Sequence, residues 1–130
     1  MRVAITGGGG LLGSALAASL RGDGHEVVRL VRRAASAPDE AGYDPETDFH
    51  DAERVEGCRA VVHLAGDDPG PRRWSDEDRA RFRHSRYEST RKVCQNVAML
   101  RALPEVLVSA SSLAFYGSRP GEVLDEIYGL

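Results

Sequence analysis

The residues from Thr6 to Gly13 carry the chemistry that is easiest to name. Gly7, Gly10 and Gly13 fall in the pattern T-G-x-x-G-x-x-G. Gly7 lets the chain leave a strand through a tight turn, and Gly10 leaves the backbone bare for an approaching pyrophosphate. Gly13 allows the next helix to pack closely on the sheet. That helix start presents free N–H groups and a positive dipole end to an anion. A glycine turn alone is a weak signal, because such turns are common. Here an apolar strand (Val3, Ala4, Ile5) precedes it, and Leu12, Ala15, Leu16, Ser19 and Leu20 follow at helical spacing. The context predicts a dinucleotide site rather than an ordinary strand–turn–helix.

A second chemical choice lies at the end of the next apolar run. NAD-preferring sites place an acid roughly 20 positions beyond the glycines, where it bonds the ribose hydroxyls. This chain has Arg32 and Arg33 there, and no acid between Glu26 and Asp39. A guanidinium can hold a 2′-phosphate in forked geometry. The arginines therefore predict NADP, with NAD as the alternative if they only solvate a strand end.

The elements that must position these groups follow from pattern. Strands are expected at about 2–6, 26–31, 59–65 and 105–111. A short strand is expected near Gly42 to Asp44 within the otherwise loop-like stretch 34–50. Helices are expected at about 11–21 and 51–57. A long helix should start at an N-cap, Ser75, with Asp76, Glu77 and Asp78 in its first turn, and run to about Leu103 with a break near Ser85. The Gly22-Asp23-Gly24 turn stops the first helix, and Pro104 stops the last. The run RAVVHLAG is nearly all apolar, as in strands buried on both faces of a parallel sheet. Alternating strands and helices imply an α/β, Rossmann-like doubly wound parallel sheet of order 3-2-1-4-5. Its switch point brings Gly7, the segment His63 to Gly66 and the segment Ser109 to Ser112 to one edge.

Composition narrows the field. At 130 residues the chain suits one domain, with 42% hydrophobic residues and a formal net charge of −3. Acids at Asp76, Glu77, Asp78 and Glu88 interrupt the basic stretch 72–92, which reads as a charged helix face rather than a nucleic-acid patch. Cys58 and Cys94 have no metal or redox spacing, and the four histidines are scattered, so no metal site is expected. No apolar run reaches membrane-spanning length, and strand one begins at the amino terminus. Together these features predict a cytoplasmic protein.

Taken together, ITGGGGLLGSAL, Tyr43-Asp44-Pro45, AVVHLAG, Arg72 to Trp74, SRYESTRKV, VLVSASSLAFYG and EVLDE resemble the extended short-chain dehydrogenase/reductase superfamily. The chain is most similar to its NAD-dependent epimerase/dehydratase subgroup of "epimerase family" or nucleoside-diphosphate-sugar epimerase-like proteins. The resemblance implies that Thr6, Gly7, Gly8, Gly9, Gly10, Leu11, Leu12 and Gly13 hold a pyrophosphate. It implies that Arg32 and Arg33 meet a 2′-phosphate, and that Leu64, Ala65 and Gly66 line the adenosine side. Ser111 or Ser112 would stand where the superfamily keeps the hydroxyl that bonds the reacting group, with Tyr116-Gly117 closing that motif.

The superfamily's usual acid–base pair is Tyr-x-x-x-Lys, one helix after those serines. The chain has a single lysine, Lys92, upstream of them, and Glu88 stands four positions before it; Tyr87 is followed by Arg91. The resemblance therefore implies an amino-terminal portion, residues 1–130, truncated before strands six and seven and before the substrate-binding lobe. The expected function is NADP(H) binding within an epimerase/dehydratase-like oxidoreductase, without turnover by this chain alone. The alternatives are a non-catalytic dinucleotide-binding module or a truncated remnant. The substrate is an unnamed small molecule. Self-association is expected through the 75–103 helix or an open sheet edge.

Overall fold

Val3, Ala4 and Ile5 alternate between two apolar layers, so the strand that carries them must run through the middle of the molecule. The computed structural model describes residues 1–67, 70, 73–125 and 127. Pro69, Pro71, Arg72 and Glu126, which the sequence reading places in a loop and in family motifs, lie outside them. The strands are β1 (Arg2–Thr6), β2 (Glu26–Val31), β3 (Glu40–Gly42), β4 (Ala60–His63) and β5 (Val106–Ser109). They form one five-stranded sheet, ordered β3-β2-β1-β4-β5, and every pairing is parallel. This is the doubly wound, Rossmann-like arrangement expected from the alternation of elements.

Three helices cover the sheet: α1 (Leu11–Gly22), α2 (Ala52–Val55) and α3 (Asp76–Ala98). Val3, Ile5, Val27 and Ala60 pack with Ala17, Leu16 and Leu20 of α1 on one face. Ala4, Val28, Leu30 and Val61 pack with Val55 of α2 and Val93 and Val97 of α3 on the other. The split follows from right-handed crossovers. The chain steps one way from β1 to β2 and the opposite way from β3 to β4, so the connecting helices fall on opposite faces.

Several boundaries and faces differ from expectation. In α1 Gly13 and Ala17 are buried and Leu16 and Leu20 half-buried, while Leu12, Ala15 and Ser19 are exposed. The turn carbonyl that Gly13 must approach fixes the helix rotation, and greasy spacing alone does not report that contact. α1 ends as the glycine turn predicts. Gly24, at φ +78, donates to Arg21 O and His25 donates to Leu20 O, a Schellman ending that needs a left-handed residue.

α3 stops at Ala98 rather than near Leu103, and it runs through Ser85 without a break. The hydroxyls of Ser85, Ser89 and Thr90 donate to carbonyls three or four residues back, which absorbs them into the helix. At its start, Ser75 Oγ accepts from the Asp78 N–H and Asp78 accepts from the Ser75 N–H, a capping box. β3 lies two residues before its expected place, and α2, β4 and β5 are shorter than expected.

The loop after β3 is pinned from outside. Asn96 of α3 accepts from the Phe49 N–H at 3.3 Å and donates to Thr47 O at 3.1 Å. Tyr43 and Phe49 form an antiparallel bridge with their rings edge to face. Among the described residues no helix is long and apolar enough to cross a membrane, and no group of three or more His, Cys, Asp or Glu could hold a metal ion.

Candidate dinucleotide-binding site

The glycine turn sits where β1 ends at the centre of the sheet. Gly7 has φ +70, and a Cβ there would lie 2.8 Å from Ala65 N and from Leu64 C. The turn therefore passes tightly under the exit of β4, and only glycine meets both demands. The Gly10 N–H donates to Gly7 O at 2.9 Å and closes the turn. Gly10 is also the N-cap of α1, and no side chain caps that end. The first-turn N–H groups of α1 thus face outward with the positive end of the helix dipole. A Cβ on Gly13 would collide with the Gly7 carbonyl. Gly13 therefore packs the helix on the turn itself, more than on the sheet.

The two arginines after β2 part company. Arg33 makes a forked ion pair with Glu40, 2.8 Å to one carboxylate oxygen and 2.9 Å to the other, and also reaches Ser36 Oγ at 2.8 Å. Glu40 is 2% exposed and receives Arg29 as well, at 3.1 Å. The Arg33 hydrogen bond and the Ser36 N–H hold its carboxyl down to about 2, against burial. Asp39 is taken in turn by Arg29 and Arg21. Asp39 and Glu40 at the end of the loop thus bind arginines of α1, of β2 and of the turn after β2. Arg32 is exposed and makes no hydrogen bond or ion pair among the described residues. The sequence treats the pair alike, whereas the fold sequesters one and frees the other.

A cavity of about 720 Å³ opens along this edge. Gly7 to Gly10, Arg32, Arg33 and Leu64 to Gly66 line it together, so the fold gathers most of the expected cofactor residues around one space. Thr6 lies beneath it, fully buried, and Leu11 and Leu12 are exposed at the start of α1. Ser111 and Ser112 are exposed beyond β5 and do not line the cavity. Ser112 O accepts from the Phe115 N–H at 2.9 Å. Lys92 pairs with Asp48 at 3.3 Å, and Tyr87 is exposed on α3.

The far wall was not foreseen. Arg81, His84, Ser85 and Ser89 of α3 line the cavity opposite the glycine turn. Their positions, 81, 85 and 89 with 84 between, form one helical stripe. Small hydroxyls inside an otherwise charged helix were the available signal, read instead as a break. Beneath them His63 is 3% exposed. Its Nδ1 lies 2.7 Å from Thr6 Oγ1 and its Nε2 lies 3.4 Å from Ser89 Oγ. Burial, and then Arg86, push its pKa below the usual imidazole value.

The residues present fit a phosphate-bearing nucleotide. The helix end is uncapped, the turn carries no side chain, and a free guanidinium stands on the rim. Tyr43 lines the same cavity, and its buried hydroxyl has no hydrogen-bond partner among the described residues.

Residues 3–127 match the family model described as NAD dependent epimerase/dehydratase family. The chain belongs to this family. An epimerase family protein of Mycobacterium leprae is 37% identical over 124 residues, which span 95% of this chain and 40% of that protein. The fold aligns with a nucleoside-diphosphate sugar epimerase from Corynebacterium glutamicum at TM-score 0.77 and 35% identity, over 95% of this chain and 25% of that one. A human epimerase family protein solved with NADPH aligns at TM-score 0.78 and 27% identity, over 94% of this chain and 40% of that one. A short-chain dehydrogenase/reductase superfamily protein from Agrobacterium tumefaciens with bound NAD aligns at TM-score 0.66 and 26% identity, over 95% and 36%. This family member thus spans about two fifths of the length of the curated relative.

Proposed function

We propose that residues 1–130 form the NADP(H)-binding Rossmann unit of an epimerase/dehydratase-like oxidoreductase. The observation that carries this reading is the unpaired Arg32 on the rim of a cavity floored by Gly7 to Gly10 and the uncapped start of α1. A 2′-phosphate needs a cation with free donors, and both terminal nitrogens of Arg33 are already held by Glu40. The human relative with NADPH supports the assignment, and the Agrobacterium one with NAD marks its alternative. When bound, the dinucleotide supplies hydride chemistry. The protein's part is to seat the pyrophosphate on Gly7 to Gly13, the adenosine along Leu64 to Gly66 and the 2′-phosphate on Arg32.

A second reading, a dinucleotide-binding unit without turnover, is favoured for the isolated chain by one observation. Its single lysine is engaged on α3, and no Tyr-x-x-x-Lys exists in the sequence. Titrating the chain with NADPH and NADH, beside Arg32→Ala, tests cofactor choice. The parent is expected to bind NADPH about tenfold or more tightly than NADH, one charge-assisted contact being worth roughly 1.5–3 kcal/mol. Arg32→Ala should abolish the difference. Equal affinities in the parent would assign the site to NAD or to both.

A further inference from the structure

Thr6 and His63 are buried, titratable or hydrogen-bonding groups at the cavity floor that cofactor contact does not account for. Their hydrogen bonds fix each other's protons. Thr6 Oγ1 accepts from the Leu64 N–H, which it shares with the Thr6 carbonyl, and from the Ala65 N–H, each at 3.2 Å. A hydroxyl has two acceptor sites and one proton. With both sites taken, the Thr6 proton points to His63 Nδ1, 2.7 Å away. Nδ1 is then bare, and the ring proton sits on Nε2, facing Ser89 Oγ. Ser89 can accept it, because its own proton goes to Ser85 O at 2.6 Å. Each group in this chain of contacts has one consistent role.

Resting on the dinucleotide reading, we propose that His63 is a positioning residue, a neutral strut in the Nε2–H form that joins β1, β4 and α3. Through Thr6 it holds Leu64 and Ala65, the stretch assigned to the adenosine side. Through Ser89 it sets the distance to the far wall. Protonation would put a hydrogen on Nδ1, and Thr6 Oγ1 would then face three donors with two acceptor sites. The Leu64 N–H would keep its bond to the Thr6 carbonyl at 3.3 Å, so the Ala65 N–H is the donor that would lose its partner, at the cost of an unsatisfied part-buried donor. Little in the surroundings would stabilise the cation. α3 presents Arg86, which disfavours it, while β1 and β5 present the hydroxyl residues Thr6 and Ser109 in register with His63. Among the described residues no carboxylate hydrogen-bonds to the ring, whose contacts are Thr6 and Ser89.

The test uses the full chain with 15N-labelled histidine, Thr6→Val, which keeps the shape and removes the hydroxyl, and Thr6→Ser, which restores it. In the parent, ring nitrogen shifts should show the Nε2–H tautomer in the neutral ring, and the ring should take up its proton at lower pH than an ordinary histidine does. The Ala65 amide should exchange slowly in the parent and in Thr6→Ser, and much faster in Thr6→Val. NADPH affinity should fall about tenfold in Thr6→Val and return to within about threefold of the parent in Thr6→Ser, as expected for lost and restored hydrogen bonds. An Nδ1–H tautomer, a ring that charges as readily as an ordinary histidine, or an Ala65 amide indifferent to Thr6→Val would overturn the proposal. If the parent binds neither dinucleotide, the functional reading fails, and the strut stands or falls on the tautomer and the amide. If Thr6→Val does not fold, the tautomer and titration of His63 in the parent decide.

Discussion

At the scale of single residues, partners decide roles that residue types leave open. Arg32 and Arg33 are chemically identical neighbours, yet Glu40, seven positions beyond Arg33 and on another strand, takes one and leaves the other. That distinction was not legible in the sequence, because strand pairing brings Glu40 back beside Arg29 of β2, within reach of Arg33. The pairing has a pH consequence. The Glu40 carboxyl is held at about 2, below its ordinary value of 4.5. A carboxylate lowered on folding adds stability that is complete above the ordinary value and lost as pH falls through the folded one. Urea midpoints should therefore fall between about pH 4.5 and 2 more steeply in the parent than in Glu40→Gln. Parallel slopes would show that the ion pair does not survive in solution. Tyr43 gives a contrasting case. Its hydroxyl is buried without a partner among the described residues, so Tyr43→Phe should stabilise the chain by about 1 kcal/mol in urea unfolding. A clear loss of stability would reveal a partner for that hydroxyl.

At the scale of elements, the glycine turn is a steric device, and its four consecutive glycines do not share the work. A Cβ on Gly13 would strike the Gly7 carbonyl, a backbone atom that cannot step aside, whereas a Cβ on Gly9 would meet nothing within 4 Å. Gly13→Ala should cost about 1–3 kcal/mol by overpacking, and Gly9→Ala should stay within roughly 0.5 kcal/mol of the parent. Urea denaturation of the two variants checks this, and equal effects would contradict the close approach. The element order, the parallel sheet and the turn were readable because strand–glycine–helix patterns repeat local rules. That Gly7 to Gly10, Arg32 and Leu64 to Gly66 meet around one cavity was readable because they stand at strand ends, and sheet order alone brings strand ends together. The α3 wall was not readable in the same way. Ser85 and Ser89 satisfy their hydroxyls within the helix, so a local signal for a break became, in three dimensions, a polar lining. The face of α1 was read in part: Leu16 and Leu20 pack against the core as their spacing predicts, while Leu12, Ala15 and Ser19 face solvent and Gly13 and Ala17 complete the packed side.

At the scale of the whole molecule, the sheet is finished on one side and open on the other. β3 is buried, while every residue of β5 is exposed, including Val106 and Val108 at 49% each. Apolar side chains beside an outer edge whose backbone has no further strand among the described residues favour association. The chain is expected to self-associate with concentration in light scattering; a clean monomer across the series would show that the edge is protected. A dinucleotide that binds only the folded state should also raise the melting temperature by mass action, about 2.7 kcal/mol of added stability at a hundredfold excess over Kd. The central claim is that the pyrophosphate lies on the backbone of Gly7 to Gly13. Calorimetric titration of NADPH into the parent chain and into Gly10→Val tests it most directly, because the new side chain would stand in the pyrophosphate path. Saturable binding by the parent, and its loss in a folded Gly10→Val, is the predicted result. Equal binding by both would place the dinucleotide elsewhere.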